Sequence, residues 1–331
     1  MPYSPPAGDK LRGFLLTGTA GSVRIGTVCI FGVITMDPRP YTLSCESTVD
    51  LPYSYVCGRD MAVLFYSYTA LGQKREEPMG RDPEAMAAFY RTLEQEVPVT
   101  SQLNAMEYIG FFTPLLRKGD VLHVTLGSGM TNSVANARQA AEQLREEFPD
   151  RRITVIDSLC TSTGYGMLMD YAADLRDAGF GMDELAEWIA GSRLRIHHQF
   201  FSTDLKYFRR SGRVSGAAAA IGTALNFCPV MRLDDEGRIV AYDRIRGEKA
   251  AVRHTVEQML SHAEGGADYS GKCFICHSDS PRLAGQLLSA VKERFPHIRG
   301  EIRVCEIGAI IASHCGPGTV AVLFYGDERK A

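Results

Sequence analysis

The residues best suited to chemistry form the turn Gly127-Ser128-Gly129, which is called the serine turn below. An apolar run at 121–126 predicts a buried strand before the turn, and apolar residues recur at helical spacing from Val134 after it. A strand, a small-residue turn and a helix in this order expose backbone N–H groups at the positive end of the helix dipole, which suits an anion. Ser128 adds a hydroxyl at the carboxyl end of the strand, where open α/β sheets bind ligands. The serine turn predicts an anion site, and a tight turn without a ligand explains the same pattern equally well.

Two other groups of residues suggest different chemistry. Ser128, His314 and Asp157 include the residue types of a serine hydrolase, but the pattern G-x-S-x-G of a nucleophile elbow is absent around Ser128. The segment 273–277, CFICH, fits the C-x-x-C-H pattern of covalent haem attachment. It lies in an apolar run that predicts a strand, on which the two thiols would point to different faces. A structural or ligand-free role is the more common explanation for both groups.

Signals for a cofactor or a resident metal are missing from the sequence. There is no P-loop and no dinucleotide fingerprint, so nothing indicates binding of ATP or NAD. His197-His198 is an adjacent pair, and the two side chains would diverge on a strand. We therefore expect no cofactor and no metal.

Composition limits the class of protein. The chain has 331 residues, which is enough for two domains, and its apolar content of 45% and charged content of 23% are ordinary for a globular protein. A net charge of -3 without a basic tract argues against a nucleic-acid partner. The nine scattered cysteines suit reduced thiols in a cytoplasm. The apolar stretch 25–34 is too short to span a bilayer, which takes about 20 residues, so we expect no integral membrane segment.

The predicted elements place the serine turn in an α/β fold. Predicted strands at 41–45, 121–126 and 153–157 alternate with helices, which favours a parallel sheet flanked by helices. The pattern changes near residue 199, where a strand, a short helix, a hairpin and further helix–strand pairs follow. We predict two α/β domains, 41–198 and 199–331, after an N-terminal extension 1–40 in which Met36 is an alternative natural start. A monomer is the default expectation.

Five segments, in order, resemble the motifs of one family. Residues 46–51 (ESTVDL) resemble D-S-T-x-D-L, residues 99–102 (VTSQ) resemble T-S-Q-P-S, and residues 126–133 (LGSGMTNS) stand where the family has I-S-S-G-L-S-G-T. Residues 205–214 (LKYFRRSGRV) resemble L-x-Y-L-x-K-G-G-R-I, and IG at 307–308 with HCGPG at 314–318 resembles I-G…H-T-G-P-G. Asp157-Ser158 also fits V-I-D-S. From about Tyr41 to its end, the chain resembles the DegV family of bacterial fatty-acid-binding proteins.

The resemblance implies a function. Similar proteins hold one long-chain fatty acid between two domains, and in many bacteria they present its carboxylate to an ATP-dependent fatty acid kinase. The kinase makes an acyl phosphate for phospholipid synthesis and carries the ATP and metal. By this resemblance the chain is a cytoplasmic lipid-binding protein without catalysis of its own, with its ligand in the inter-domain crevice. The alternative is a hydrolase or phosphotransfer enzyme that uses Ser128 and His314.

The resemblance also assigns site residues. The carboxylate contacts carried over are Thr100, Ser128 and His314, with Ser101 and Gly129 as neighbours. Arg209 and Arg213 match the family's basic turn and are expected to contact the kinase or the phosphorylated head group, although a solvated loop explains them as well. The tail gains roughly 0.8 kcal/mol per buried CH₂. The candidates for the acyl-chain pocket, each of which ordinary core burial also explains, are Ile109, Phe112, Phe201, Ala217, Ile221, Leu225 and Met231.

The chain departs from the family pattern at several of these positions. Gly127 replaces a serine, Cys315 replaces a threonine, Glu46 replaces an aspartate, and Leu103-Asn104 replaces P-S. Thr131-Asn132-Ser133 replaces S-G-T. These differences bear on the geometry of the head-group site and on the identity of the ligand, and they affect the expected two-domain fold less.

Overall fold

The computed structural model describes residues 40–214 and 226–331. The strands of these ranges are β1 (Tyr41–Glu46), β2 (Ala62–Leu64), β3 (Ser67–Ala70), β4 (Gln73–Glu76), β5 (Val99–Ser101), β6 (Asp120–Thr125), β7 (Ile153–Asp157), β8 (Ile196–Ser202), β9 (Phe227–Leu233), β10 (Ile239–Arg246), β11 (Cys273–Ser278), β12 (Arg303–Glu306) and β13 (Thr319–Tyr325). The helices are α1 (Tyr53–Gly58), α2 (Ala85–Gln95), α3 (Ala105–Leu116), α4 (Ser133–Glu147), α5 (Ser162–Asp177), α6 (Met182–Ser192), α7 (Lys206–Ser211), α8 (Glu248–His262), α9 (Pro281–Arg294) and α10 (Ala309–Cys315).

The first half of the chain builds a four-stranded parallel sheet in the order β2-β1-β6-β7. Every residue of β6 is buried, as expected of a central strand that is covered on both faces. Helices α3 and α4 pack against β6, and α4 and α6 pack against β7. The prediction of a parallel sheet flanked by helices is therefore confirmed.

A second, smaller sheet in this half has the order β4-β3-β5 and is antiparallel. The apolar stretch 61–68 is divided between β2 and β3, which belong to different sheets. The reason is that β3 leaves the parallel sheet to pair with β5, with Tyr68 opposite Thr100. This small sheet positions Thr100.

The second half of the chain forms a six-stranded sheet in the order β10-β9-β8-β13-β11-β12. Only β11 and β12 run parallel, and the other neighbours are antiparallel. Helices α8 and α9 pack on this sheet, and α5 from the first half also packs against β8, β11 and β13. The first strand of the sheet begins at Ile196, three residues before the expected boundary at 199, and the division into two domains stays a prediction.

The two halves also meet through α10. This helix packs against α2, β3 and β5 of the first half and against α7 of the second. The carboxylate of Glu77 accepts hydrogen bonds from the first backbone N–H groups of α10, those of Ala309 (3.1 Å) and Ile310 (2.8 Å). An acidic group at this end of a helix satisfies orphan N–H donors and complements the helix dipole. The predicted extension 1–40 lies, except for Pro40, outside the described residues.

Candidate functional site

A cavity of about 600 Å³ lies between the parallel sheet, the small sheet, α10 and one face of the six-stranded sheet. Its polar wall contains the serine turn, β5 and the end of α10, and its apolar wall contains residues of the six-stranded sheet. The residues that line this cavity include Tyr66, Thr100, Ser101, Ser128, Gly129, Met130, Thr131, Phe200, Phe208, Arg213, Cys276, Ile310, Ile311, His314, Ala321 and Leu323.

The five residues predicted for carboxylate binding all line this cavity, although they come from three distant parts of the chain. Thr100 and Ser101 lie in β5, and His314 lies in the last turn of α10. The Thr100 Oγ1 and His314 Nε2 atoms are 2.8 Å apart, within hydrogen-bond distance. The packing of α10 on β5 brings about this contact between residues 214 positions apart.

His314 is a neutral hydrogen-bonding group near pH 7. Burial and, to a lesser extent, the nearby Arg213 guanidinium together lower the pKa of His314 to about 4. In the tautomer with the proton on Nε2, the imidazole donates to Thr100 Oγ1, and the threonine hydroxyl is then free to donate to an anion. The pair can thereby supply a donor to a carboxylate without adding a positive charge.

The Asp157 carboxylate holds the serine turn in place through hydrogen bonds to the backbone. Asp157 Oδ1 accepts the backbone N–H groups of Ser128 and Leu159, each at 3.0 Å. The N–H of Gly127 bonds the carbonyl of Cys160 at 2.9 Å, and the N–H of Met130 bonds the carbonyl of Gly127 at 2.9 Å. The expectation that the turn offers its backbone N–H groups to an anion is therefore wrong for these three groups. The exposed Ser128 side chain remains as the donor of the turn.

The two glycines of the serine turn are required by close contacts. A Cβ atom on Gly127 would lie 2.8 Å from the backbone N and O of Cys160. A Cβ atom on Gly129 would lie 2.3 Å from the carbonyl oxygen of Gly237, in the hairpin turn between β9 and β10. Glycine at these positions lets the turn pack against both halves of the molecule.

The first family-like motif has a structural role behind the same turn. The buried Glu46 side chain accepts the backbone N–H of Leu126 at 2.8 Å and the hydroxyl of Tyr108. Ser47 Oγ accepts the backbone N–H of Tyr66 at 3.0 Å. Tyr66 reaches the cavity, and its hydroxyl donates to Ser133 Oγ at 2.7 Å. These bonds fix the strand end from which the serine turn emerges.

The apolar wall is one face of the six-stranded sheet. Cys276, Ala321 and Phe200 stand opposite one another in β11, β13 and β8, so their side chains share a face, and all three line the cavity. Thr319 and Leu323 continue the same face along β13. Side chains alternate along a strand, which directs every second residue into the cavity.

Four of the predicted tail-pocket residues lie elsewhere. Phe201 is fully buried on the opposite face of β8 from Phe200. Met231 pairs with Phe200 but is fully buried one strand farther out, and it does not reach the cavity surface. Phe112 and Ile109 lie on α3, where the Phe112 ring packs 5.1 Å from the His123 ring in the core of the first half. The other three predictions, Ala217, Ile221 and Leu225, lie outside the described residues.

The basic turn is divided between the cavity and the outer surface. Arg213 lines the cavity, and its Nη1 donates to the carbonyl of Ser211. Arg209 is exposed in α7 and is not among the residues at the cavity surface. Arg213 therefore adds positive charge to the polar end of the cavity.

Sequence reasoning missed several cavity residues. Phe200 and Leu323 lie in fully buried strands, where the sequence shows no polar–apolar alternation to separate the two faces. Ile310 and Ile311 lie on α10, four and three residues before the predicted His314, and this helical spacing could have suggested that they share its face.

The structure assembles neither a serine-hydrolase triad nor a C-x-x-C-H haem-attachment site from the residues that the sequence suggested. The carboxylate of Asp157 bonds the backbone N–H groups of the serine turn, and the imidazole of His314 bonds Thr100, so the arrangement differs from a Ser–His–Asp triad. The C-x-x-C-H segment forms β11, as predicted. Cys276 lines the cavity, and Cys273 does not reach its surface, as expected for positions on opposite faces.

Comparison with known proteins identifies relatives over most of the chain. A family model described as "Uncharacterised protein, DegV family" matches residues 44–327. A DegV domain-containing protein of Clostridium perfringens (strain 13 / Type A) is 28% identical over 295 residues, which are 88% of this chain and 99% of the relative.

Two solved structures share the fold. A DegV family protein from Thermus thermophilus, described for its fatty acid binding, has a TM-score of 0.76 at 27% identity, covering 87% of this chain and 100% of that one. The Fatty Acid Kinase (Fak) B3 protein of Streptococcus pneumoniae, loaded with linoleic acid, has a TM-score of 0.74 at 18% identity, covering 87% of this chain and 99% of that one. At 18% identity the second similarity shows the fold alone.

Proposed function

Because this chain belongs to the DegV family, we propose that it binds one long-chain fatty acid in the cavity and presents the carboxylate to a partner kinase. The observation that carries the proposal is a single cavity of about 600 Å³ with hydroxyl and imidazole groups at one wall and an apolar sheet face at another. The fatty acid binding described for the relative from Thermus thermophilus supports the same ligand class.

The proposed head-group site satisfies the carboxylate with neutral donors. The hydroxyls of Thr100 and Ser128 donate to its oxygens, and His314 completes the contact by donating its Nε2 proton to Thr100. Ser101 and Gly129 lie beside them, and Arg213 contributes positive charge from the rim. Donors are needed because a carboxylate taken out of water without partners costs several kcal/mol. The tail lies along Phe200, Ala321 and Leu323 and gains roughly 0.8 kcal/mol per buried CH₂, so the alkyl chain supplies most of the affinity.

We further propose that the chain acts as the non-catalytic partner of a fatty acid kinase, in acyl-phosphate formation for phospholipid synthesis. The name of the Streptococcus pneumoniae neighbour suggests such a partnership for that protein. Arg209 and Arg213 are proposed to contact the kinase or the phosphorylated head group, since both residues are exposed and Arg213 also lines the cavity.

The compartment we propose is the cytoplasm. The eight cysteines of the described residues are all free thiols, and seven of them are buried. Free thiols of this number are typical of a reducing compartment. In residues 40–214 and 226–331 no helix has the length and apolar character needed to cross a membrane.

The experiment that tests the head-group assignment is displacement of a fluorescent fatty acid by palmitate. The Ser128→Ala variant is expected to bind palmitate about 10-fold more weakly, because a hydrogen bond to a charged group contributes roughly 1.5–3 kcal/mol. Ser289→Ala is the matched control, since Ser289 is exposed on α9 and bonds only the carbonyl of Gly285. Equal affinity of the two variants would refute the role of Ser128, and turnover of an ester or phosphate that depends on Ser128 would favour the enzyme alternative.

A further inference from the structure

We propose that His197, His262 and Asp327 form a binding site for a divalent transition-metal ion of the zinc class, with His197 on the face of the six-stranded sheet opposite to the fatty-acid cavity. Their donor atoms all lie within 4.8 Å of one another. Two imidazoles and one carboxylate are a ligand set that suits Zn²⁺, with water in the fourth position. The site does not depend on the proposed function of the cavity.

The donor atoms lie close together around the Asp327 carboxylate. His197 Nε2 lies 2.9 Å from Asp327 Oδ1, and His262 Nδ1 lies 3.2 Å from the same oxygen. With bonds of about 2.0–2.1 Å, the donors of a tetrahedral zinc site lie about 3.3 Å apart, which is close to both nitrogen–oxygen distances. Because the two imidazole rings are stacked nearly parallel, the partly exposed His262 ring must rotate to direct its nitrogen at an ion that His197 binds. The carbonyl oxygen of Asp327, 2.9 Å from His197 Nε2, is a further oxygen within reach.

The packing around the three residues holds them close to one another. The ring of His197 is stacked between Phe324 and His262, with centroid distances of 5.0 Å to each. The backbone N–H of Asp327 donates to the carbonyl of His262 at 3.0 Å, which ties the end of α8 to the residue that follows β13. A Cβ atom on Gly326 would lie 2.1 Å from the His262 carbonyl oxygen, so only glycine allows this approach. A site with ligands held before the metal arrives loses less entropy on binding.

Charge and accessibility also fit a cation. His197 is buried, whereas His262 and Asp327 are exposed enough for an ion to enter from solvent. The nearby Arg195 is paired with Glu264 at 3.0 Å, so its charge is offset. The guanidinium of Arg329 acts on His197 electrostatically and opposes the ion, which predicts moderate rather than extreme affinity. The three residues escape notice in the sequence because they lie 65 and 130 positions apart.

A metal at this place would connect the start of β8, the end of α8 and the end of β13. We expect the bound ion to stabilise the second half of the molecule, because it binds the folded arrangement and not the dispersed ligands of the unfolded chain. The melting temperature of the full chain should therefore rise with Zn²⁺ concentration.

The test is titration of the chelator-treated full chain with Zn²⁺, followed by calorimetry and by thermal unfolding. The parent should bind about one Zn²⁺ at this site, and His262→Ala and Asp327→Asn should each weaken that binding more than about 100-fold, since loss of an outer-shell partner alone costs 10–100-fold. His297→Ala is the control, because His297 is exposed and lies outside the cluster. His262 is on the surface side, so its variant should fold like the parent.

Co²⁺ distinguishes this site from the cysteines. Nitrogen and oxygen ligation should give a cobalt d–d spectrum without a thiolate-to-metal charge-transfer band, and the spectrum should be lost in His262→Ala. Failure of the parent to bind either ion would overturn the proposal. Binding that survives in both His262→Ala and Asp327→Asn, or a spectrum with a thiolate band, would also overturn it.

Discussion

Thr100 and His314 form the contact that joins the two halves of the chain at the polar end of the cavity. Neither residue stands out by itself, since one is a threonine in a three-residue strand and the other a histidine at the end of a short helix. Their chemistry depends on burial, which keeps His314 neutral near pH 7 and allows the pair to act as a relay of hydrogen-bond donors.

We predict that the hydroxyl of Thr100 is needed for ligand binding. Thr100→Val removes the hydroxyl but keeps the shape, and it should weaken palmitate binding by about 10-fold, because a carboxylate oxygen loses a charge-assisted hydrogen bond. Thr100→Ser keeps the hydroxyl and should bind within about 3-fold of the parent. Titration calorimetry of both delipidated variants measures the difference, and equal weakening by Val and Ser would mean that the hydroxyl is not the cause.

The six-stranded sheet determines which of its side chains face the cavity. Phe200 and Phe201 are neighbours in sequence, but one faces the cavity and the other lies in the core on the opposite face. Their identical side chains make them a matched pair for separating binding from stability.

We expect Phe200→Trp to shorten the tail that the cavity accepts. If the larger ring displaces about two methylene groups, affinity for an 18-carbon fatty acid should fall about 10-fold relative to a 14-carbon one. Phe201→Leu should leave this ratio unchanged and lower the free energy of unfolding by about 1–2 kcal/mol. Competition binding with fatty acids of graded length gives the ratio, and a changed preference in Phe201→Leu alone would reverse the assignment of the two faces.

Helix α10 carries His314, and Glu77 caps its start from the first half of the chain. Burial raises the pKa of Glu77 to about 7, although the N–H groups of Ile310 and Ala309 oppose the shift. A carboxyl group whose pKa is higher in the folded than in the unfolded state contributes stability that is fully present below its ordinary value of 4.5 and is lost as pH rises through 7.

Glu77→Gln should remove this part of the pH dependence. The free energy of unfolding of the parent, minus that of the variant, should fall between pH 4.5 and 7 by up to about 3 kcal/mol, because the variant has no proton to lose there. Urea unfolding of both proteins at a series of pH values measures the difference and cancels the contributions of the buried histidines. A difference that does not change with pH would contradict the raised pKa.

The sequence allowed prediction of the long elements and of the polar end of the cavity, and less of the apolar end. Strands β6, β7 and β13 are rich in apolar residues, and the family-like motifs point to Thr100, Ser128 and His314. The small antiparallel sheet escaped prediction because its strands have three or four residues and β4 is polar. Phe201 was chosen over Phe200 because β8 is buried throughout, so its sequence contains no alternation that marks the cavity face.

Helix α5 links the two halves of the molecule through charged side chains. Asp170 on α5 pairs with Lys272, which precedes β11, and with Arg59 at 2.7 Å. Lys272 also pairs with Asp174 at 2.6 Å. Because Asp170 is almost fully buried, its charge needs a cationic partner to offset the cost of desolvation, and Lys272 and Arg59 can each serve as one.

We predict unequal effects of removing the two sides of this network. Asp170→Ala should lower the free energy of unfolding by about 3 kcal/mol, since it leaves Lys272 and Arg59 with fewer partners in a partly buried place. Lys272→Met should cost only about 1 kcal/mol, because Arg59 still offsets the charge of Asp170. Denaturant unfolding compares the two variants, and a larger loss in Lys272→Met would mean that Arg59 does not offset the buried charge.

The proposed function requires that a fatty acid occupies the cavity between the two halves of the molecule. The most direct measurement is mass spectrometry of the organic extract from the purified, denatured full chain, with the protein quantified in the same sample. We predict about one long-chain fatty acid per chain, in keeping with one cavity that combines a polar wall and an apolar wall. The proposed fatty-acid binding would be contradicted if the extract contained no fatty acid and the delipidated protein also failed to take up palmitate.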